Sequence, residues 1–167
     1  YRAAIASQPW VQTQLESATR KGELRLTRNY SYFGAQTGKP GLMLCGDAFA
    51  FLDPVFSSGM YIALTSGAKA ADLIAESLAQ SLPPQEMAHR YGTWLTTHVE
   101  PMRRLIYAFY DPEFSVGALM RERPDLRADL TDILVGNLNR DFQALMDELS
   151  ARTTLPTPLA ERVFGGA

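Results

Sequence analysis

The sequence predicts a mainly α-helical protein with a few strands. From Gly59 onward, apolar residues recur every three or four positions, which is the period of a helix with one apolar side. Two earlier segments, 23–33 and 41–45, are rich in strand-favouring residues and are separated by glycines and a proline. With 167 residues, 46% of them hydrophobic, the chain is long enough for one well-buried core and offers no case for two full domains.

The beginning of the chain predicts two short helical segments. Residues 1–6 have the composition of a helix end. Ser7 can then cap a second helix, and Pro9 suits its first position because a proline there gives up no intrahelical hydrogen bond. We expect this helix to run through Thr19, with Trp10 among its apolar positions.

The two strand segments predict a strand pair. Segment 23–33 places apolar and aromatic residues at alternating positions, and segment 34–41 contains enough glycine, proline and polar residues to turn the chain back. Segment 41–45 is a short continuous apolar run, which is typical of a strand buried on both faces. We therefore expect 23–33 to pair with a buried strand at 41–45.

A long helix follows from Gly59 to about residue 78. Many residues along its apolar side are small, so we expect this side to pack closely against a sheet. The predicted buried side consists of Met60, Ala63, Leu64, Gly67, Ala71, Ile74, Ala75 and Leu78.

The rest of the chain predicts further helices. Segment 85–98 is helical, and Pro101 either kinks that helix or starts another that ends at Asp111-Pro112. Segments 125–138 and 140–149 predict two more helices, and the tail from Thr153 is expected to be extended and mobile. The expected buried set here is Leu126, Leu130, Ile133, Leu134, Leu138, Phe142, Leu145, Met146 and Leu149.

Charge and composition exclude several classes of partner. A net charge of −2 and a pI near 5.7 give no strong positive field, which disfavours nucleic acid and anionic membranes as partners. A single cysteine, Cys45, leaves no internal disulfide and suits a reducing compartment. No apolar run approaches a membrane span, and the first residues do not have the order of a signal peptide. We expect a cytoplasmic protein.

One stretch, residues 42–60, concentrates residues suited to binding a ligand: LMLCGDAFAFLDPVFSSGM. Gly46 removes a Cβ atom beside Asp47, so a bulky ligand can approach the backbone while the carboxylate accepts hydrogen bonds from hydroxyl groups. The Asp53-Pro54 pair restricts a turn, and the serines that follow lead into a long helix. The first N–H groups of that helix lack intrahelical partners and favour negative charge.

These residues resemble the second flavin-binding motif of FAD-dependent monooxygenases of the para-hydroxybenzoate hydroxylase fold. Within that superfamily, the string FLDPVFSSGM is most similar to flavin-dependent halogenases of secondary metabolism, especially the branch that acts on phenols and pyrroles. The Tyr30-Ser31-Tyr32 segment is also similar to that branch. Phe56 stands where tryptophan halogenases have a glutamate, so a glutamate base is absent at this position.

The resemblance implies a site. Gly46 and Asp47 would bind the ribityl chain of FAD, and Pro54 would flank the isoalloxazine ring. The start of the long helix, Ser58-Gly59-Met60, would flank the ring too, and chloride would lie against Ser57, Ser58 and Gly59. In such enzymes reduced FAD and oxygen give a flavin hydroperoxide, which chloride attacks to form hypochlorous acid. The acid then halogenates an electron-rich aromatic substrate of the phenol or pyrrole type.

Several parts of such an enzyme are not in this sequence. The glycines at 34, 38 and 41 do not have the G-x-G-x-x-G spacing of a dinucleotide fingerprint, and neither tryptophan lies in a Trp-x-Trp-x-Ile-Pro string. The resemblance therefore implies that residues 1–82 are the C-terminal piece of an α/β FAD-binding domain and that residues 83–167 form a helical C-terminal region. The catalytic residues are expected in an N-terminal part of the same protein, without which this chain would be inactive.

The implied partners are an aromatic substrate, free or tethered to a carrier protein, and either a flavin reductase or NAD(P)H as the source of reduced FAD. Two alternatives stay open. One is an FAD-dependent hydroxylase or reductase of the same fold. The other is a helical binding module without flavin, built on residues 102–149.

The remaining candidate residues favour structural roles. Cys45 is expected to be a small buried hydrophobe, and the nine-residue spacing of His89 and His98 does not put them on one helix face, so no metal site is predicted. Arg103-Arg104 and Arg121-Glu122-Arg123 are expected on solvated helix faces, with an acidic carrier protein or a substrate phosphate as the alternative contact. The aromatic residues are expected mostly in the core, with the lining of a substrate pocket as the alternative: Tyr30, Tyr32, Tyr107, Phe109 and Tyr110.

Overall fold

The computed structural model describes residues 1–27 and 30–165, and helices dominate it as predicted. The helices are α1 (Arg2–Ala6), α2 (Pro9–Leu15), α3 (Gly59–Gln80), α4 (Pro84–Phe109), α5 (Val116–Glu122), α6 (Arg127–Val135), α7 (Gln143–Arg152) and α8 (Leu159–Phe164). The strands are β1 (Tyr32–Phe33), β2 (Gly38–Lys39), β3 (Leu42–Met43) and β4 (Ala50–Phe51). In the described parts of the chain, no helix combines the length and apolarity needed to cross a membrane.

The predicted pairing of segment 23–33 with segment 41–45 is wrong. β1 pairs antiparallel with β4, and β2 pairs antiparallel with β3. The pairing of β2 with β3 is explained by the Pro40-Gly41 turn, which is the two-residue loop of a hairpin. Gly41 has a φ of +82° in this loop. Part of the predicted first strand, Arg28 and Asn29, lies outside the described residues.

The expectation of a strand buried on both faces at 41–45 is also wrong. β3 has a single partner strand, and Leu42 is exposed while Met43 is half-buried. A strand is covered on both faces only when further layers pack above and below it.

The N-terminal helices are shorter and more exposed than predicted. α2 ends at Leu15 and not at Thr19, and Trp10 lies in solvent. Ser7 does not cap α2, because its hydroxyl donates to the carbonyl of Ala4 in the preceding helix. The residue that precedes α2 is Gln8, which makes no side-chain cap.

Helix α3 begins at Gly59 as predicted, but its buried side is not the predicted one. Met60, Leu64 and Leu78 of the predicted buried side are 76%, 68% and 81% exposed. The buried residues are instead Ile62, Ser66, Ala70 and Leu73. α3 is apolar on two sides, so its periodicity does not decide which side packs against α4 and the Gly46 turn.

Helix α4 is the centre of the core. It continues through Pro101 as one helix, although proline has no N–H to donate to the preceding turn, and it ends before Asp111-Pro112 as predicted. α4 contacts α3, α6, α7, α8 and the β2–β3 hairpin. Its fully or nearly fully buried apolar residues include Tyr91, Leu95, Val99, Met102 and Leu105.

The C-terminal helices mostly agree with the sequence. α6 and α7 lie within the predicted segments or one turn beyond, and their predicted apolar set is buried except for half-buried Leu130 and exposed Leu134. α5 was not predicted.

The tail predicted to be extended from Thr153 has no helix or strand as far as Pro158, as expected, but it then forms α8. Leu159 begins α8 and is fully buried, and its amide donates to Glu100 Oε2 at 3.2 Å. The Thr157 carbonyl accepts a hydrogen bond from Arg103 Nη2 at 2.7 Å. The tail is docked onto α4 by these contacts.

Arg103 is fully buried, against the expectation of a solvated helix face. Its guanidinium donates to both carboxylate oxygens of Glu100 at 3.0 Å and lies over the rings of Phe33 and Tyr107, at 5.3 and 5.7 Å from their centroids. A buried cation needs such partners, because an unpaired charge in the interior is costly. Arg104 is half-buried and donates to the same carboxylate at 2.8 Å.

Candidate functional site

Most of the predicted cofactor-binding residues line one cleft. The cleft has a volume of about 510 Å³, and Gly46, Asp47, Pro54, Gly59 and Met60 all contribute to its wall. Three separate pieces of chain meet here: the turn after β3, the turn after β4 and the start of α3. The volume lies in the usual range for small-molecule sites.

Gly46 fits a position that no other residue fills without strain. It has a φ of +51° and opens a single 3₁₀ turn, Gly46–Ala48, after β3. A Cβ atom there would lie 2.9 Å from the Ala63 Cβ and 3.0 Å from the Ala63 Cα on α3. The buried amide of Gly46 donates to Ser66 Oγ at 2.9 Å, so the turn is fixed against α3.

Tyr91 of α4 holds the chain just before the Gly46–Ala48 turn. Its hydroxyl donates to the Leu44 carbonyl at 2.8 Å and lies 3.3 Å from Cys45 Sγ. Burial is the main cause of the raised pKa of Tyr91, so the phenol stays protonated and remains a donor. Cys45 itself is half-buried, follows β3 and packs against the core, so the prediction of a buried strand residue is correct only in part.

Asp47 points away from the core. Its side chain is exposed, and within the described chain its carboxylate has no hydrogen-bond donor, while its backbone carbonyl accepts from the Tyr32 hydroxyl at 2.6 Å. A fixed backbone and a free carboxylate at the edge of a cleft can accept hydrogen bonds from a polyhydroxylated ligand.

The Asp53-Pro54 turn is held by α4. Asp53 Oδ1 accepts from the Val55 amide at 3.1 Å and from the Tyr110 hydroxyl at 2.7 Å. Phe56 is half-buried and packs against the edge of Phe109, with ring centroids 5.4 Å apart.

The start of α3 has three features that favour an anion. Ser57 adopts the left-handed conformation with a φ of 55°, which is uncommon for a residue other than glycine. Ser58 is 4% exposed, and its hydroxyl has no hydrogen-bond partner among the described residues. The first amides of this 22-residue helix also lack intrahelical acceptors, so the helix start can bind negative charge.

The expectation that the aromatic residues lie mostly in the core is wrong. All five, Tyr30, Tyr32, Tyr107, Phe109 and Tyr110, are exposed. Tyr30 and Tyr32 pack on Phe51, with ring centroids 5.8 and 6.0 Å apart, and Phe51 lines the cleft. An aromatic surface is therefore continuous with the cleft.

A larger cleft of about 940 Å³ lies in the helical region and contains none of the motif residues. On its wall, His98 stacks on Trp94 at 4.5 Å between ring centroids, and its Nε2 lies 3.0 Å from the Tyr61 hydroxyl. Burial lowers the pKa of His98. The arginines that line the larger cleft are already bound to acidic side chains: Arg90 to Glu76 and Glu86, Arg104 to Glu100, and Arg140 to Asp129 and Asp132. The smaller cleft therefore remains the candidate site.

His89, unlike His98, is exposed and contacts Phe164 edge-on. Of the other predicted surface charges, Arg121 and Glu122 are exposed, whereas Arg123 is half-buried and binds Asp125 and Glu148. Within residues 1–27 and 30–165, no three His, Cys, Asp or Glu side chains converge as they would around a metal ion.

The sequence does not reveal three supporting residues. Ser66, Tyr91 and Tyr110 fix the motif from positions 20 to 57 residues away. The only sequence signal for Ser66 is a hydroxyl one turn beyond Ile62 on the buried side of α3.

Comparisons with known proteins cover the part of the chain that forms the cleft. A family model described as squalene epoxidase matches residues 6–101, which include every residue of the cleft. The flavin-dependent halogenase otaD of Aspergillus niger is 38% identical over 89 residues, which cover 48% of this chain and 19% of that protein. The flavin-dependent halogenase armH2 of Armillaria mellea is 36% identical over 174 residues, covering 87% of this chain and 34% of that protein.

A bacterial protein is also similar to this chain. The 1H-pyrrole-2-carbonyl-[peptidyl-carrier protein] brominase of Pseudoalteromonas luteoviolacea is 28% identical over 128 residues, covering 77% of this chain and 31% of that protein. The chain thus spans between about a fifth and a third of the length of these relatives. It belongs to the family of FAD-dependent monooxygenases that the squalene epoxidase model describes, and its relatives named here include flavin-dependent halogenases.

Proposed function

We propose that this chain supplies the ribityl and isoalloxazine side of the FAD site in a halogenase that acts on an electron-rich aromatic substrate of the phenol or pyrrole type. The observation that carries this proposal is that Gly46, Asp47, Pro54, Gly59 and Met60 line one cleft. In this proposal residues 1–82 belong to the FAD-binding domain and residues 83–167 form the helical region that supports it.

The residues of the cleft fit FAD. Gly46 lets its turn pack closely on Ala63 of α3 and so fixes the position of Asp47, whose exposed carboxylate is free to accept hydrogen bonds from ribityl hydroxyls. Pro54, Gly59 and Met60 form the other wall, where the flat ring system would lie. The Cβ position of Gly59 has no atom within 4 Å, so a ring can approach the start of α3 closely.

The start of α3 fits chloride. The amides of Ser58 and Gly59 and the unpartnered hydroxyl of Ser58 would hold it, and Ser57 would contribute its hydroxyl, because the Ser57 amide already donates to the Pro54 carbonyl at 2.9 Å. With molecular oxygen as the oxidant, bound FAD that has been reduced by a partner flavin reductase or by NAD(P)H would supply the two-electron oxidation of chloride to hypochlorous acid. The role of this chain is to place the halide and to stabilise its charge.

The aromatic surface beside the cleft supports the substrate class. Tyr30, Tyr32 and Phe51 present exposed or half-exposed rings to a substrate that is itself aromatic. We place a free or carrier-tethered substrate against these rings. The similarity to a brominase named for a carrier-bound pyrrole supports the tethered form.

An N-terminal part of the same protein would complete the site. The face of α3 that carries Met60, Leu64 and Leu78 is apolar and exposed, and a helix that is apolar on both sides is normally covered on both. We propose that the remainder of the FAD-binding domain covers this face and supplies the catalytic residues. Leu64→Glu in the full-length protein should then lower its free energy of unfolding. An unchanged free energy of unfolding would show that this face of α3 is exposed to water and is not covered. We place the protein in the cytoplasm, since it has one cysteine.

The experiment that tests the FAD site is the Asp47→Ala substitution in the full-length protein. We expect FAD binding to weaken by about tenfold or more, which is the loss expected for hydrogen bonds to a charged group. Asp47→Asn keeps one acceptor oxygen and should weaken binding less. Glu161→Ala removes another exposed carboxylate, on α8, and serves as the control. Equal FAD retention in Asp47→Ala and Glu161→Ala would refute the assignment.

The halide site is tested by titrating the flavin-loaded protein with chloride and bromide. We expect both to shift the flavin absorbance spectrum, and Ser58→Ala to weaken this response while it lowers FAD retention less than Asp47→Ala does. A spectrum indifferent to both halides would favour the alternative of an FAD-dependent hydroxylase or reductase. A purified full-length protein that takes up no FAD would favour the binding module without flavin.

A further inference from the structure

The end of α4 contacts the Asp53-Pro54 turn through two neighbouring residues. The Tyr110 hydroxyl donates to Asp53 Oδ1 at 2.7 Å, across 57 residues of sequence. The ring of Phe109 packs edge-on against Phe56, at 5.4 Å between centroids and 69° between planes. Together they hold both ends of the Asp53–Phe56 turn.

The Asp53 carboxylate connects this helix end to the backbone of the turn. The same Oδ1 atom that accepts from Tyr110 also accepts from the Val55 amide at 3.1 Å. A hydrogen bond from a phenol to a carboxylate is charge-assisted and therefore stronger than one between neutral groups. The hydrogen bond to Asp53 also raises the pKa of Tyr110, so its hydroxyl stays protonated at neutral pH.

The turn leads directly into the proposed halide site, the Ser57-Ser58-Gly59 segment. Pro54–Phe56 is a single 3₁₀ turn, Ser57 follows in the left-handed conformation, and α3 begins at Gly59. Anion binding by backbone amides depends on their orientation being fixed before the anion arrives. A contact that fixes Asp53 therefore also fixes the direction of the amides that follow it.

We propose that Tyr110 is a positioning residue for the halide site, acting through the Asp53 carboxylate on the Ser57-Ser58-Gly59 segment. This role rests on the proposed function of that segment. Without the hydroxyl, the Asp53 carboxylate loses a donor and is free to turn toward other donors. The nearest uncommitted ones in sequence are the first amides of α3, where a carboxylate competes with a halide.

The test is Tyr110→Phe in the full-length, FAD-loaded protein, with chloride and bromide as probes and the flavin spectrum as the readout. The phenyl ring keeps the contact with Phe109, so only the hydroxyl is lost. We expect the apparent halide Kd to rise by about three- to tenfold, which is part of what a charge-assisted hydrogen bond contributes. FAD affinity should change by less than about twofold, because the Asp47 side of the cleft keeps its contacts.

Tyr107→Phe is the matched control. Tyr107 lies on the same helix, is 41% exposed, and its hydroxyl makes no hydrogen bond within the part of the chain that the structure describes. Its halide response should equal that of the unchanged protein. An equal response in both variants would overturn the proposal, and so would a joint loss of FAD and halide binding in Tyr110→Phe, since that would indicate a general structural role.

A double-mutant cycle with Asp53→Asn tests the route of the effect. If Tyr110 acts through Asp53, the double variant should show the halide Kd of Asp53→Asn alone, and purely additive effects would contradict the proposal. A wild-type spectrum that ignores halide would instead refute the proposed halide site itself. The two failures are thus distinguishable.

Discussion

The amide of Gly46 donates a hydrogen bond to the hydroxyl of Ser66, at 2.9 Å in a buried position. Ser66 is fully buried on α3, and its hydroxyl also donates to the Ala63 carbonyl at 3.2 Å. The Gly-Asp turn is therefore attached to α3 by a side chain as well as by close packing on Ala63. The first amides of the same helix lie at the other side of the cleft, so both halves of the candidate site share one rigid element.

Ser66→Ala should destabilise the protein by about 1–3 kcal/mol, because it leaves the buried Gly46 amide without an acceptor. The measurement is the free energy of unfolding from urea denaturation. FAD affinity should fall as well, since the turn that presents Asp47 is no longer held. An unchanged free energy of unfolding would mean that this hydrogen bond does not fix the turn.

Gly46→Ala should be more damaging, at about 2–4 kcal/mol. The left-handed backbone of Gly46 disfavours a Cβ atom. The new methyl group would also lie 3.0 Å from the Ala63 backbone, a contact so short that α3 would have to move. Gly41→Ala is the matched control, because Gly41 has a φ of +82° but open space around its Cβ position. It should cost only about 1 kcal/mol, the backbone part alone. Equal losses in the two variants would show that close packing on α3 contributes nothing.

Arg103→Ala should cost about 3–5 kcal/mol, as expected when one partner of a buried ion pair is removed. The change removes the hydrogen bonds to Glu100 and Thr157 and the packing on Phe33 and Tyr107. The neighbouring Arg104→Ala is the control. It leaves the Arg103–Glu100 pair intact and should cost about 1 kcal/mol or less. Similar unfolding free energies for the two variants would contradict a special role for the buried guanidinium.

The sequence reveals local structure better than long-range contacts. The start of α3 at Gly59 and the end of α4 before Asp111-Pro112 follow from period and from proline, both of which act within a few residues. The burial of Arg103 does not follow, because its local charge favours solvent and only Glu100, three residues earlier, signals a partner.

The same distinction applies to the candidate site. Gly46, Asp47 and Pro54 are recognisable because the motif is contiguous, and the structure brings them to one cleft. The contact of Tyr110 with Asp53 depends on how α4 packs, which no periodicity in the sequence describes. The buried side of α3 is undetermined for a related reason: both of its sides are apolar, so packing partners and not sequence decide which one is covered.

His98 should make the stability of the protein depend on pH near neutrality. Burial lowers its pKa in the folded state below the ordinary value of 6.5, so the unfolded chain binds a proton at a higher pH than the folded protein does. The stability contribution is therefore fully present above pH 6.5 and is lost as pH falls from there toward the folded pKa, by at most about 1.4 kcal/mol per pH unit for one proton.

The groups around His98 do not reverse this sign. The Tyr61 hydroxyl bonds its Nε2, Trp94 stacks on its ring, and the charged residues that share its cleft, such as Arg104 and Glu100, already bind each other. Some acidic groups have lowered pKa values; for Glu148 the main cause is the hydrogen bond from Arg152. Such groups lose their contribution to stability at lower pH than His98 does, so they do not obscure the slope near neutral pH.

The measurement is the free energy of unfolding at several pH values between about 5 and 8, for the unchanged protein and for His98→Gln. His98→Gln should remove the slope below pH 6.5, because glutamine does not titrate. His89→Gln is the control and should leave the slope unchanged, because His89 lines the same cleft but is exposed. If the slope persisted in His98→Gln and vanished in His89→Gln, the exposed histidine would be the one that couples protonation to folding.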